Sequence, residues 1–306
     1  MTSSSQAHAA GTSSTAVTTF SDVILWIRKD PMWLAATALA FVVLFAEPMR
    51  LLADAWWNDP NSGHGLLLAP VAIWLAFRAG GAPHARPQPV AGAVVIVLAV
   101  LFRYAAQLAS ELFVMRGSML VALGGLVLWY GGWPQVRRWW LSFTILALSV
   151  PIPEVILNTV ALPLQFTASR IGAALLEWRQ IPVLLTGNVI RIPGQELFVA
   201  EACSGLRSLT ALTSLGVLLG ALQLNRWWLR VLLVALTIPI AILINGVRVF
   251  LTGFLVYYVS PEMGQGFMHT SEGMLMFVVA FVAMGLIAFV LGLFESALTR
   301  REQAGV

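Results

Sequence analysis

Charge and cysteine are what this chain has least of. Only 10% of its 306 residues are Asp, Glu, Lys or Arg, against 59% hydrophobic ones, and the mean hydropathy is +0.84. Soluble domains carry about 25% charged residues, so this chain cannot clothe a water-facing surface of its size. It is read as an integral membrane protein. The single cysteine, Cys203, excludes an internal disulfide and any zinc site built from several thiolates. Of four histidines, His8 falls in the N-terminal tail and His84 in a loop on the inner side, so neither a protein-held metal nor another cofactor is expected. The net charge of +4 comes from scattered basic pairs and not from a stripe, which sets nucleic acid aside.

Long apolar runs fill the space that charge leaves. A hydrocarbon core of about 30 Å needs about 20 apolar residues in helix. Eight such stretches lie near 33–52, 65–79, 90–109, 117–133, 138–157, 203–223, 228–258 and 270–294. The expected fold class is therefore an all-α integral membrane protein with about eight transmembrane helices and a small outer-face cap. Residues 1–22, uncharged except for Asp22 and rich in Ser, Thr and Ala, form a disordered tail. They lack the basic n-region of a signal peptide, so the N-terminus is expected to be retained. Helices one to five occupy 23–157, the cap 158–202, helices six to eight 203–298, and a short tail 299–306.

Basic pairs set the orientation by the positive-inside rule. Arg28 and Lys29, Arg78 and Arg86, Arg137 and Arg138, Arg226 and Arg230, and Arg300 and Arg301 fall in alternate loops. Both termini are thus expected in the cytoplasm. Outer positions receive Arg50, Arg103, Arg116, Arg170, Arg179 and Arg191 together with most of the acids, among them Asp54, Asp59, Glu111 and Glu262. In the cap, Val160, Leu164, Ile171, Leu175 and Trp178 stand at helical spacing and suggest a helix lying in the interface plane. Pro182 to Leu185, Val189 to Ile192 and Leu197 to Ala200 read as short strands, separated by Gly187-Asn188 and Pro193-Gly194.

Three places in the spans hold residues that ask for a reason, because ionisable groups in a membrane are costly. The first is Glu201-Ala202-Cys203-Ser204-Gly205-Leu206-Arg207 at the outer mouth of the sixth helix. On a helix Arg207 lies one turn below Cys203, and both its guanidinium and the helix N-terminus favour a thiolate. Against that stands the ordinary behaviour of an isolated cysteine as a small, inert, buried hydrophobe. The second is Asn245 with Arg248 in the outer half of the seventh helix, three residues apart and on one face. Arginine cannot shed its charge there, so a functional site is the default reading, with a packing ion pair to Glu201 or Glu272 as the alternative. The third is His269, with Glu272 close behind it at the start of the eighth helix. A lone interfacial histidine is more often solvated or packed than catalytic, but here three helices bring a thiol, a cation and an imidazole to the same leaflet. Those are the needs of cysteine acyl transfer: a nucleophile, a proton carrier near neutrality and a fixed cation for an oxyanion. His64, in the outer turn Ser62-Gly63-His64-Gly65, is a further candidate, and a solvated turn histidine explains it equally well.

Gly187-Asn188-Val189-Ile190, the Glu201 to Ser208 stretch, Ile238-Pro239-Ile240-Ala241 followed by Asn245 and Arg248, and His269 with Gly273 and Phe277 together resemble the exosortases. The likeness covers roughly 45–295, and the cysteine motif is its most specific part. The turn at His64 resembles the family's Ser-His-Gly turn with a glycine inserted or its register shifted. The resemblance implies a membrane cysteine protease or transpeptidase in the bacterial inner membrane that cleaves C-terminal PEP-CTERM sorting signals at the outer face. Its catalytic residues would be Cys203, Arg248 and His269, supported by Glu201, Ser204, Arg207, Asn245, Glu272 and His64. Implied partners are membrane-tethered substrate proteins and an acceptor nucleophile. Two readings from other classes stand beside it: a transporter with Arg248, Glu272 and His269 along an ion path, and a non-catalytic assembly factor for polysaccharide export.

Overall fold

The computed structural model describes residues 31–59, 62–193, 195–198, 205–264 and 266–303. The expected tail at 1–22 lies outside them, as do Glu201, Cys203 and Ser204. Among the described residues the chain forms nine α-helices and one small sheet: α1 (Pro31–Asn58), α2 (Gly65–Ala79), α3 (Pro89–Leu108), α4 (Leu112–Arg138), α5 (Trp140–Leu148), α6 (Glu154–Trp178), β1 (Leu184–Thr186), β2 (Val189–Ile192), β3 (Gln195–Phe198), α7 (Gly205–Gln223), α8 (Trp227–Tyr258) and α9 (Gly266–Gln303), with a 3-10 turn (Pro261–Gly264) before α9.

By length and composition, five of these helices can cross a membrane: Met32–Asn58, Pro89–Leu108, Leu112–Arg138, Trp227–Tyr258 and Gly273–Gln303. The apolar helix Gly65–Ala79 and the apolar part of α7, Leu209–Gln223, are shorter. The expected single span at 138–157 is two elements. Its first part is the nine-residue α5. Ser149 to Pro153 then leave the helix, because Pro151 and Pro153 lack the donors a helix needs and disfavour helical geometry in the residues before them.

In the N-terminal part, α3 and α4 form an antiparallel hairpin. Pro89 opens α3, where its missing N–H costs nothing. Glu111 caps α4 through its carboxylate, which accepts from the amides of Phe113 (3.0 Å) and Val114 (3.4 Å). Gly92 meets the Trp129 backbone and Gly125 meets Ile96, so the two axes approach closely. Phe45 and Leu52 of α1 pack with Ala99 of α3 and Met119 and Ala122 of α4.

The segment expected as an interfacial helix is a 25-residue helix that packs along α8. Its contacts advance in the same direction on both helices: Gly246 against Ile171, Gly172 against Val249, then Gly253 against Leu176. The buried stripe is Ala168, Ser169, Gly172, Ala173 and Leu176, whereas Trp178 is 74% exposed. The apolar spacing in the sequence marked the bulky residues, but close helix packing uses the small ones. The three strands form an antiparallel meander in the order β1-β2-β3. Gly187, at φ 65°, and Asn188 make the two-residue hairpin loop between Thr186 and Val189, a position that favours glycine. Ile190 and Ile192 point into a core with Ala173, Leu176, Ile181, Val249 and Val256, so the sheet sits on α6 and α8. The first and third strands differ by a residue or two from the expected bounds.

The C-terminal part is a three-helix unit. Leu212 and Leu224, Leu229, Leu233 and Ala241, and Ala280, Met284 and Ala288 form one core between α7, α8 and α9. Its far end is closed by Glu295 of α9, 5% exposed, whose carboxylate accepts the amide of Asn225 (3.1 and 3.0 Å) and that of Arg226 (2.6 Å). An acid from one helix thereby caps the N-terminus of another, satisfying orphan amides and the positive end of the α8 dipole.

Candidate active site

The α8 helix is apolar except for one face. Asn245, Arg248 and Thr252 lie on it and are 5%, 8% and 2% exposed, at spacings that stack them along one side. The guanidinium of Arg248 reaches the neighbouring helix α9 and rests on Gly273. A β-carbon at that glycine would stand 2.8 Å from Nη2, 3.1 Å from Cζ and 3.3 Å from Nη1 of Arg248. Gly273 follows His269 by four residues in α9, one helical turn, so both occupy the same side of that helix. Glu272 immediately precedes Gly273.

The third helix arrives at the same height. Gly216 of α7 faces Thr237 of α8 and Met284 of α9, and Gly220 faces Arg230. Helices rise equally per residue. Counting back along α7 and α9 and forward along α8 from the Gly216, Met284 and Thr237 level therefore puts the first residue of α7, Gly205, level with Arg248 and Gly273. Gly205 stands two residues after Cys203 in the chain. Arg207 lies in the first turn of α7 by its backbone, and His269 and Glu272 in the first turns of α9. The expectations for Glu201, Cys203 and Ser204 fall outside the described residues.

The sequence profile of the transmembrane exosortase family matches residues 56–286. The chain belongs to that family. Neither the comparison with curated proteins nor that with solved structures gives a match. The matched segment of this exosortase runs from the end of α1 into α9 and includes Cys203, Arg248 and His269, the three residues expected to act. Membership in this family supports a multi-pass membrane protein with a transpeptidase role in general terms.

His64 stands at the start of another helix of the exosortase. It closes the turn before α2, where its carbonyl accepts the amides of Leu67 and Leu68 at 3.1 Å each. The turn is held by Ser62, whose hydroxyl donates to Asp59 at 2.6 Å, and by Trp56, whose indole covers Gly65 and donates to the Ser149 carbonyl at 2.7 Å. Below it, Leu68, Ala72 and Leu75 pack with Ile145 of α5 and with Val217 and Leu218 of α7. Packing through α7 thus joins the His64 corner to the Arg248 unit.

Two of the arginines expected on the outer side are buried within helices. Arg103 of α3 points Nη2 at Glu47 of α1 at 3.4 Å, and Gln107 donates to the same carboxylate oxygen at 3.0 Å. Arg116 of α4 donates to the Leu51 carbonyl at 3.1 Å. Arg50 and Arg170 are likewise helical, in α1 and α6. The signal for Arg103 was present in the sequence: one acid and one base, each isolated in an apolar stretch, on helices that a membrane would bring side by side. In the cap, Glu196 pairs with Arg191 directly across the strands at 2.8 Å.

Proposed function

We propose that this exosortase is a cysteine transpeptidase that processes membrane-tethered proteins bearing a C-terminal PEP-CTERM-type signal at the outer face of the bacterial inner membrane. The observation that carries the reading is the seating of the Arg248 guanidinium on α9 one turn from His269, at the level where α7 begins just after Cys203. In the proposed orientation both termini are cytoplasmic and this end of α7, α8 and α9 faces the periplasm.

In the first half-reaction the Cys203 thiolate attacks the scissile carbonyl carbon. A C–S bond forms and the carbonyl oxygen takes the negative charge. Arg248, protonated at every accessible pH, stabilises that oxyanion from a position fixed before the substrate arrives. His269 protonates the leaving amine as the C–N bond breaks, which leaves a thioester on Cys203. In the second half-reaction an acceptor nucleophile, or water, attacks the thioester after losing its proton to His269, and the thiolate departs. Arg207 and Glu201 flank the cysteine in sequence and support its ionisation and substrate contact. Asn245 and Glu272 lie within a turn of Arg248 and His269, respectively.

The test is to incubate the purified protein with a substrate peptide that spans the Pro-Glu-Pro motif and to trap the covalent species. The expected result is a thioester on Cys203, with the cleavage point read by mass spectrometry and no adduct in Cys203→Ala. Processing of a PEP-CTERM protein in membranes by the Cys203→Ala variant would sink the proposal.

A further inference from the structure

Gly273 is a residue with no chemistry of its own, yet the charged group of Arg248 lies on it. Three guanidinium atoms stand within 3.3 Å of where a β-carbon would be, closer than side-chain carbons ordinarily tolerate. Any other residue at 273 would therefore occupy the space that the guanidinium fills. What would have to move is the end of a long, jointed side chain and not a backbone, so the helices can keep their packing while the cation shifts. Elsewhere on α8 the close approaches are different in kind: Gly246 and Gly253 admit the apolar side chains Ile171 and Leu176 of α6, and their role is packing. At Gly273 the neighbour is instead a buried guanidinium.

We infer that Gly273 is a positioning residue. The bare turn of α9 sets the depth and direction of the Arg248 guanidinium relative to the first turn of the same helix, which carries His269. The α9 backbone at Gly273 serves as a stop that sets how closely the guanidinium can approach this helix. The inference rests on the proposed role of Arg248 for its catalytic consequence, and on the contact itself for its structural one. Misplacement of a catalytic group by about 1 Å costs on the order of 100-fold in rate.

The experiment uses Gly273→Ala in the full-length chain, and has two arms. In the first, the protein is treated with phenylglyoxal, which modifies accessible guanidinium groups, and Arg248 is followed by peptide mass spectrometry. Dislodging the side chain should raise its modification rate several-fold while the thermal unfolding midpoint and the modification of Arg103 and Arg116 stay as in the parent. An unchanged Arg248 rate overturns the inference whatever the enzyme does. In the second arm, thioester formation is measured in Gly273→Ala, Arg248→Ala and the double variant. Acting through Arg248, Gly273→Ala should reduce the rate about 100-fold alone and cause no further loss in the Arg248→Ala background. Additive losses would assign Gly273 a role independent of the arginine and overturn the inference. If the parent protein forms no thioester, the proposed function fails, and the first arm still decides where the guanidinium sits.

Discussion

Arg103, Arg116 and Arg248 are buried to the same degree, each 8% exposed, and are used in two different ways. In the N-terminal part, α3 and α4 bring their arginines to α1, where Arg103 meets Glu47 and Arg116 meets a backbone carbonyl. Those contacts bind three helices to one another. In the C-terminal part, Arg248 lies on the bare backbone of α9, beside the segment of the helix that carries His269. Burial of a cation does not separate a structural arginine from one proposed to act in a reaction. Arg103 and Arg116 are tied to an acid and a carbonyl of α1, whereas the Arg248 guanidinium lies against a glycine of α9, which gives it a seat as well.

The largest expected effect that would break this comparison is on activity. Arg248→Ala should reduce thioester formation at least about 100-fold, the scale on which an oxyanion donor contributes, with little change in thermal stability. Arg103→Ala should do the reverse, losing about 1 to 3 kcal/mol for a hydrogen-bonded charged group while the activity per folded molecule remains. Chemical unfolding in detergent alongside adduct formation checks both, and a stability loss confined to Arg248→Ala would erase the distinction.

Next in size is Gly172→Leu. Its side chain would run into Val249 at the α6–α8 contact, and overpacking of this kind costs about 1 to 3 kcal/mol. Because the cap sheet is seated on the same two helices, limited proteolysis between Ile181 and Phe198 should accelerate in this variant. Equal protection in both proteins would show that the sheet does not depend on that contact.

Glu295→Gln sharpens the contrast from the other end. It retains the shape of the cap but removes its charge, which is worth about 1 kcal/mol at a helix N-terminus, and should lower the unfolding midpoint slightly. The smallest effect is expected for Glu302→Gln. Arg226 is partly exposed, and its hydrogen bond to Glu302 raises its pKa above the ordinary arginine value. A raised pKa on a base means that the stabilising pair persists from acid up to the loss of the Arg226 proton, far above neutrality, on condition that Glu302 stays ionised. Between pH 6 and 9 the unfolding midpoint of parent and variant should run parallel, and a pH-dependent gap there would contradict the assignment.

How legible all this was in the sequence depended on whether the signal was local. Apolar runs located α1, α3, α4, α8 and α9 because length and hydrophobicity are properties of one segment. Gly187-Asn188 located the hairpin for the same reason. The break after Leu148 was written in Pro151 and Pro153, but a run of apolar residues on either side outweighed it in the reading. The packing face of α6 was not legible, because the spacing of Leu164, Ile171 and Leu175 says which residues are apolar and not which ones another helix approaches. At the site, Arg248 stood out as a charge in an apolar helix, and His269 as an imidazole at a helix start. Gly273 could be quoted as part of a family-like pattern but its use required the neighbouring helix, since a glycine carries no mark of what rests on it.

The carboxylate of Glu295 is held to the start of α8 at one end of the bundle, and Gly273 lies 22 residues earlier on the same unbroken helix. That stretch is about 33 Å long at 1.5 Å per residue, so the cap and the seat stand at opposite ends of α9. A swing of about 2° about Glu295 would carry Gly273 by about 1 Å. The tilt of α9 against α8 thus sets where the seat of the arginine lies.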